Sequence, residues 1–237
     1  YTNSRRVVRA ESGVLNACSE TGLLIRSLEH YEGSFEDGQG SVGPWAARTA
    51  GSWGNALEVS ICATATAYEQ NITGANQVNG AASSGATSVT VDDVDLADNE
   101  INVGDIVSFF TDSGFGTFAT NHVGIEYEVT ARDTANNTIT IRKLDDPNSG
   151  GLNGDLADNS FIRRRWKYYD LFNDAPGTSA WSTENNKGTN DEMHVVVADT
   201  TGEITGFSNA VASQRTTAVI ETYEAVSYTH LTLPTKV

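Results

Sequence analysis

The sequence predicts an α+β fold that is mostly β, with a discontinuous base domain carrying an inserted small β-barrel or sandwich domain. Three observations lead there. Short runs of alternating or continuous apolar residues recur at close spacing, with no helical period among the central ones. The segments between them are rich in Gly, Asn, Asp, Thr and Ser, which tolerate positive φ or bond their own backbone in turns. Finally, two strong strand patterns, at 57–62 and 193–198, flank a stretch that contains strands of its own.

The elements follow in order. Arg5-Arg6-Val7-Val8-Arg9-Ala10 reads as a strand already under way, so the chain is expected to be an interior piece of a longer protein. Residues 11–44 are rich in Gly and Glu, with one apolar cluster at Leu23-Leu24-Ile25. Gly43-Pro44-Trp45-Ala46-Ala47-Arg48 reads as a short helix with Pro in its first turn, and Gly51-Ser52-Trp53-Gly54-Asn55 as a turn. Leu57–Cys62 alternates as a half-buried strand should. The small, polar stretch from Gln70 to Gly85 is expected to be a linker.

Strands are then predicted at Ser88–Val91 and within Val103–Phe110. Ile125–Thr130 and Thr138–Arg142 flank Asp133-Thr134-Ala135-Asn136-Asn137, a hairpin signal with turn formers at its tip. Phe161–Tyr169 leads out of this unit and Asn173-Asp174-Ala175-Pro176-Gly177 forms its exit loop. Met193–Ala198 is a core strand. Asp199-Thr200-Thr201-Gly202-Glu203 turns it toward Ile204-Thr205-Gly206, and Val219-Ile220 with Tyr223 can close the same sheet. The domain limits are 11–69 with 173–227 for the base and 70–172 for the insertion. Leu-Ala-Asp-Asn occurs at 96–99 and 156–159, too short a match to define a repeat.

Composition narrows the function. The 237 residues leave room for one large domain or two small ones, and 19% charged residues is too low for a disordered polyelectrolyte. A net charge of −16 repels phosphate backbones and anionic lipid, so neither nucleic acid nor membrane is an expected partner. No stretch approaches the roughly 18 apolar residues of a membrane span. Cys18 and Cys62 form no metal motif and no disulfide framework; reduced, buried thiols are expected, and the spacing leaves a bridge open.

Candidate chemistry is sparse. Asp92, Asp93, Asp95, Asp98 and Glu100 cluster between two strands, but a catalytic carboxylate pair needs a cleft that separates its pKa values, and a polar loop supplies none. The same run lacks the Gly and Glu spacing of an EF-hand, the other use of such a cluster being Ca²⁺. Arg163-Arg164-Arg165-Trp166-Lys167-Tyr168-Tyr169 is the one basic run. As a strand it would put Arg164, Trp166 and Tyr168 on one face and Arg163, Arg165, Lys167 and Tyr169 on the other. In so acidic a chain, contacts within the subunit or between subunits are favoured over a nucleic-acid stacking platform. His30, His122 and His194 are far apart, and His194 falls in a strand core pattern. The sequons at Asn71 and Asn136 matter only in a secretory setting. The expectation is therefore no enzyme: no catalytic, cofactor-binding or metal-binding residues, and no cofactor.

Three stretches together resemble the contractile-tail sheath proteins of T4-like myoviruses, in particular those of cyanophages. They are Asn3-Ser4-Arg5-Arg6-Val7-Val8-Arg9-Ala10; Gly40–Arg48 continuing through Gly51-Ser52-Trp53-Gly54-Asn55-Ala56-Leu57-Glu58-Val59; and Asp191–Asp199 with Gly202-Glu203-Ile204-Thr205-Gly206, followed by Val219-Ile220-Glu221-Thr222-Tyr223-Glu224. Ser213–Ala218 departs from the pattern, where a shorter turn containing Gly is expected. The resemblance implies that 1–10 ends a sheath core segment and that the rest is a peripheral insertion region. It implies a structural subunit of the virion, assembled in the host cytoplasm, whose partners are other sheath subunits, the tail tube and the baseplate. Separately, Tyr228-Thr229-His230-Leu231-Thr232-Leu233-Pro234-Thr235 resembles translated sequencing-adapter read-through, so 228–237 is expected to be a non-native tail. The alternative from another functional class is a carbohydrate-binding or adhesin-type β module, since polar β domains with exposed Trp and Tyr bind sugars.

Overall fold

A computed structural model describes residues 6–7, 29, 33, 54, 56–72, 74, 76–145 and 150–227. Among these the protein is mostly β with few helices, arranged as two sheets. The described residues divide into two compact units. One contains those up to Ile61 with His194–Val226, and the other is chiefly Cys62–Met193. The expected helix at 44–48, Cys18, His30 and the tail 228–237 lie outside the described residues.

The first unit is built on a four-stranded sheet in the order β1-β2-β9-β10. Its strands are β1 (Arg6–Val7), β2 (Leu57–Cys62), β9 (Glu192–Asp199) and β10 (Val219–Ser227). β1 runs parallel to β2, with Arg6 opposite Glu58 and Val7 opposite Val59. β2 is more enclosed than a half-buried strand. Glu58 and Ser60 are buried along with Val59 and Cys62, because β2 lies inside the sheet with a neighbour on each side. β9 is likewise interior and buried along most of its length, whereas β10 forms the edge and is exposed from Ile220 to Ala225.

Residues 204–206 do not form a strand. The Asp199 carboxylate takes the Ile204 and Thr205 N–H groups, both at 2.8 Å, so those donors are spent on a closed loop.

The second unit begins with a single helical turn, α1 (Ala65–Tyr68), whose N-cap Thr64 accepts a hydrogen bond from Ala67 N–H. Six strands follow: β3 (Glu69–Ile72), β4 (Ser88–Thr90), β5 (Ile106–Phe110), β6 (Tyr127–Asp133), β7 (Thr138–Lys143) and β8 (Phe161–Arg165). Every pairing is antiparallel, in the order β3-β8-β5-β6-β7-β4. The predicted hairpin is β6–β7. Asp133 caps its turn by accepting from Ala135 and Asn136 N–H, and the register shifts between Val129 and Ala131. A second short helix, α2 (Ala180–Asn185), starts at Ser179, which is pinned by Asp191, and ends at Asn186 in the left-handed conformation.

Two expectations are corrected here. Residues 70–85 are not a linker. Gln70–Ile72 belong to β3, Val78 is buried in the core, and Ala82 bridges Leu156. The small polar residues conceal this because single apolar side chains, widely spaced, do the packing. Of the expected barrel or sandwich, the barrel is not observed, since none closes among the described residues. Among the described residues, an isolated bridge of Val78 with Val91 links the segments that follow the end strands β3 and β4, supported by bonds from Asn79 N–H to Thr90 O and from Asp92 N–H to Gln77 O. Gly74 and Gly80 on either side of Val78 adopt the left-handed region, at φ 79° and 81°.

One hydrophobic cluster fills the second unit, including Ile72, Val107, Phe109, Tyr127, Ile139 and Ile162. β5 is buried on both faces. Val107 and Phe109 enter the cluster, while Phe110 on the other face stacks on Phe118 (4.5 Å between centroids) beneath the Arg163 guanidinium at 4.7 Å.

Candidate functional site

The acidic loop between β4 and β5 uses its carboxylates to hold its own shape. Asp92 accepts from Gln77 N–H at 2.9 Å, and Asp93 accepts from Asp95 N–H at 3.0 Å. Asp95 pairs with Arg132 at 2.9 Å, and Glu100 accepts from the Asn102 amide at 3.4 Å. Asp98 occupies the left-handed region at φ 66°, and its carbonyl accepts from the Gln70 side chain. These groups work as turn caps and as an ion pair to the neighbouring hairpin. Among the described residues, no group of three or more His, Cys, Asp or Glu side chains is placed to hold a metal ion.

The basic run is absorbed by intramolecular partners. Arg163 donates to Asn71 at 2.8 Å, Arg164 to Gln70 at 2.5 Å, and Arg165 to both Glu69 (2.6 Å) and Glu126 (2.8 Å). Arg164, Trp166 and Tyr168 are buried, but only Arg164 lies in β8, so the expected strand alternation does not extend to the other two. Lys167 is buried as well, 3.6 Å from Glu128, because β8 ends at Arg165 and the alternation ends with it. Glu128 also receives two bonds from Arg142, at 3.0 and 2.7 Å. The Tyr169 hydroxyl donates to Glu126, and burial together with that bond pushes its pKa up to about 12.

His194 and the described cysteine are packed into the fold. His194 is buried in β9 and its Nδ1 accepts from Ala225 N–H at 3.0 Å. Cys62 is a free, buried thiol whose pKa burial pushes up to about 12, so it carries almost no thiolate at neutral pH. Asn71 partners Arg163, and Asn136 donates to Asp133 at 2.7 Å.

Two polar constellations escaped the sequence reading. Asp199 is fully buried and accepts four backbone N–H bonds, from Thr201 (3.1 Å), Gly202 (2.8 Å), Ile204 and Thr205. Burial pushes its carboxyl upward, but the four donors together outweigh burial and hold it below the ordinary carboxylate range. The Asp-x-x-Gly pattern signalled a turn without showing that the carboxylate would be its centre. The other constellation joins His122 and Tyr127, five residues apart, to Asn153, 26 residues beyond Tyr127, a contact that no local pattern announces.

The described residues thus define a two-unit β protein whose polar clusters brace loops. No helix among them is long and apolar enough to cross a membrane. No family model matches the chain, and no curated protein matches it in sequence.

Proposed function

We propose that the chain is part of a structural subunit of a contractile phage-tail sheath, which polymerises around the tail tube and contracts to drive it through the host envelope. In this reading it is the peripheral insertion region of that subunit, a discontinuous base domain interrupted by an inserted β domain, and it carries no catalysis. One observation supports the reading most. The three stretches that resemble sheath proteins are far apart in sequence, yet they supply the four neighbouring strands of one sheet: β1, β2, and then β9 with β10. The segment between the second and third stretches falls almost wholly in a separate compact unit, chiefly Cys62–Met193. Contraction is work done at subunit interfaces that have two stable packings, so it needs no reactive side chain.

The test is expression of the complete reading frame, followed by negative-stain electron microscopy and decoration of intact phage with antibodies raised against residues 62–193. Tubular polymers and periodic labelling along the tail are expected. Labelling at tail-fibre tips instead, with binding on a glycan array, would replace this reading with the adhesin-type module.

A further inference from the structure

A buried histidine that this reading does not use lies where the turn 119–125 meets the loop 150–156. Asn121 (φ 64°) and Gly124 (φ 70°) shape the turn, and bonds from His122 N–H to Ala119 O (2.9 Å) and from Ile125 N–H to His122 O (3.1 Å) close it. His122 is thereby driven inward and fully shielded, edge-on to Phe109 at 5.9 Å between centroids. The loop approaches from the other side. Gly151 fits so closely that a Cβ there would stand 1.8 Å from Ala86 O. Leu152 N–H donates to Ala86 O, and Leu156 exchanges backbone bonds with Ala82.

The next two residues of the loop are tied to the turn and to the sheet. Asn153 N–H donates to the Tyr127 hydroxyl (2.9 Å), and the Asn153 side-chain amide donates to Asn121 O (2.8 Å). Lys143 Nζ donates to Asn153 Oδ1 (2.8 Å). His122 Nε2 lies 3.2 Å from Gly154 O, and its Nδ1 lies 2.9 Å from the Tyr127 hydroxyl.

These partners dictate where the protons sit. A carbonyl only accepts, so Nε2 carries the hydrogen toward Gly154. Tyr127 accepts from Asn153 and donates its own proton to Nδ1, which must then be unprotonated. We propose that His122 is a proton-sensitive latch for the 150–156 loop: neutral, it holds the loop closed on the 119–125 turn; protonated, it lets the two segments part while the six-stranded ladder stays paired.

Protonation places a second N–H against Tyr127. The phenol oxygen can accept it beside the Asn153 bond, but the phenol proton then loses its acceptor, and a full charge sits in a shielded pocket. The charged neighbours do not compensate. From β7, Lys143 presents the same sign. Asp145, just beyond β7, acts on Tyr127 rather than on the ring, and Asp155 in the loop is committed to Ser84 N–H at 2.8 Å. Burial holds the His122 pKa below its ordinary value; the bond to Gly154 opposes this and the Lys143 charge adds to it. The sign follows. With the folded value below the unfolded value of about 6.5, the latch contributes fully above the unfolded value and is lost as pH falls through the folded one.

The experiment follows the His122 Hε1 resonance and the amides of Leu152, Asn153 and Gly154 in the full chain, from about pH 7.5 to about pH 4.5. As His122 takes up its proton, the three amides should shift. Their hydrogen exchange, corrected for the intrinsic pH dependence, should accelerate roughly tenfold or more while β5–β8 amides stay protected. His122→Gln keeps a donor for Gly154 but cannot titrate, so the transition should vanish with the loop closed. Tyr127→Phe should free the loop already at neutral pH. The proposal is overturned if the loop amides are unmoved through the His122 titration, if His122→Gln shows the same transition, or if the ladder amides open together with the loop. The wild-type titration alone decides the matter should either variant fail to fold.

Discussion

Among the described residues, the two units bury different kinds of side chain, and the difference shows how each described part is held together. In the second unit, large apolar groups converge on one cluster: Phe109 and Tyr127 lie fully inside with Ile72, Ile139 and Ile162 around them. In the first, the described buried residues are small aliphatics such as Ala56, Val196, Ala198 and Ala218, interleaved with Glu58, Ser60, His194, Asp199, Thr200 and Asn209. Apolar burial sets the six-stranded sheet, and polar groups there latch loops onto a core that already exists. In the first unit the polar groups are themselves the interior of the loop after β9. Thr200 N–H and its hydroxyl both bond Ala56 O, at 2.7 and 3.0 Å, and Asn209 N–H bonds Asp199 O at 2.9 Å. The second unit should therefore suffer most from lost volume and the first from lost acceptors.

The largest effect is expected from Phe109→Ala. The ring is fully enclosed, 5.7 Å from Tyr127 and 5.9 Å from His122 between centroids, and has no room to be replaced by collapse of the sheet. Truncation should cost about 3–5 kcal/mol, read as a lowered midpoint in urea unfolding. A loss below about 1 kcal/mol would mean that the cluster does not carry the unit's stability.

Asp199→Ala is the matching test in the first unit. It removes the acceptor of four part-buried backbone N–H donors, and the expected loss is about 1–3 kcal/mol by the same measurement. The pH dependence has a definite sign. The folded pKa is depressed, so the stabilisation is complete above the unfolded value of about 3.9 and disappears as pH falls through the folded value. Wild type and variant should converge in stability on acidification. A constant gap down to the most acidic pH at which the chain stays soluble would show that the charge on Asp199 is not what organises the loop.

Most strands were legible because their information is local. Leu57–Cys62, Thr138–Arg142 and Met193–Ala198 announce themselves by alternation or by apolar runs, and Asp133–Asn137 by its turn chemistry. What was illegible depended on partners. Val78 packs into a core from a segment of Asn, Gly, Ser and Ala, and only the approach of Val91 and Ser160 gives that segment its place. The turn after β9 was legible at Asp199–Glu203, but not that the Asp199 carboxylate would take the Ile204 and Thr205 N–H groups and close the loop. The barrel failed because closure depends on whether the end strands match over several residues, and single residues do not encode that. The carboxylates of the acidic loop were seen as a cluster, but Arg132 and Gln77, which define their roles, come from elsewhere in the chain.

The smallest effect separates the core from the ionic covering above it. Arg165 is half-buried on β8, bonded to Glu69 and Glu126, with its guanidinium 4.7 Å from the Tyr169 ring centroid. Three partners converge on one planar group, yet the Glu69 side chain retains 40% of its exposure, so water screens much of that pair. Arg165→Ala should cost about 1 kcal/mol, and the cost should shrink on raising salt from about 0.05 M to about 0.5 M as the pairs are screened. Phe109→Ala should show no such salt dependence, because its loss is one of volume. If Arg165→Ala instead matched the phenylalanine truncation at every salt concentration, the charged groups around β8 would belong to the unit's core, and the distinction between an apolar interior and a polar covering would fail there.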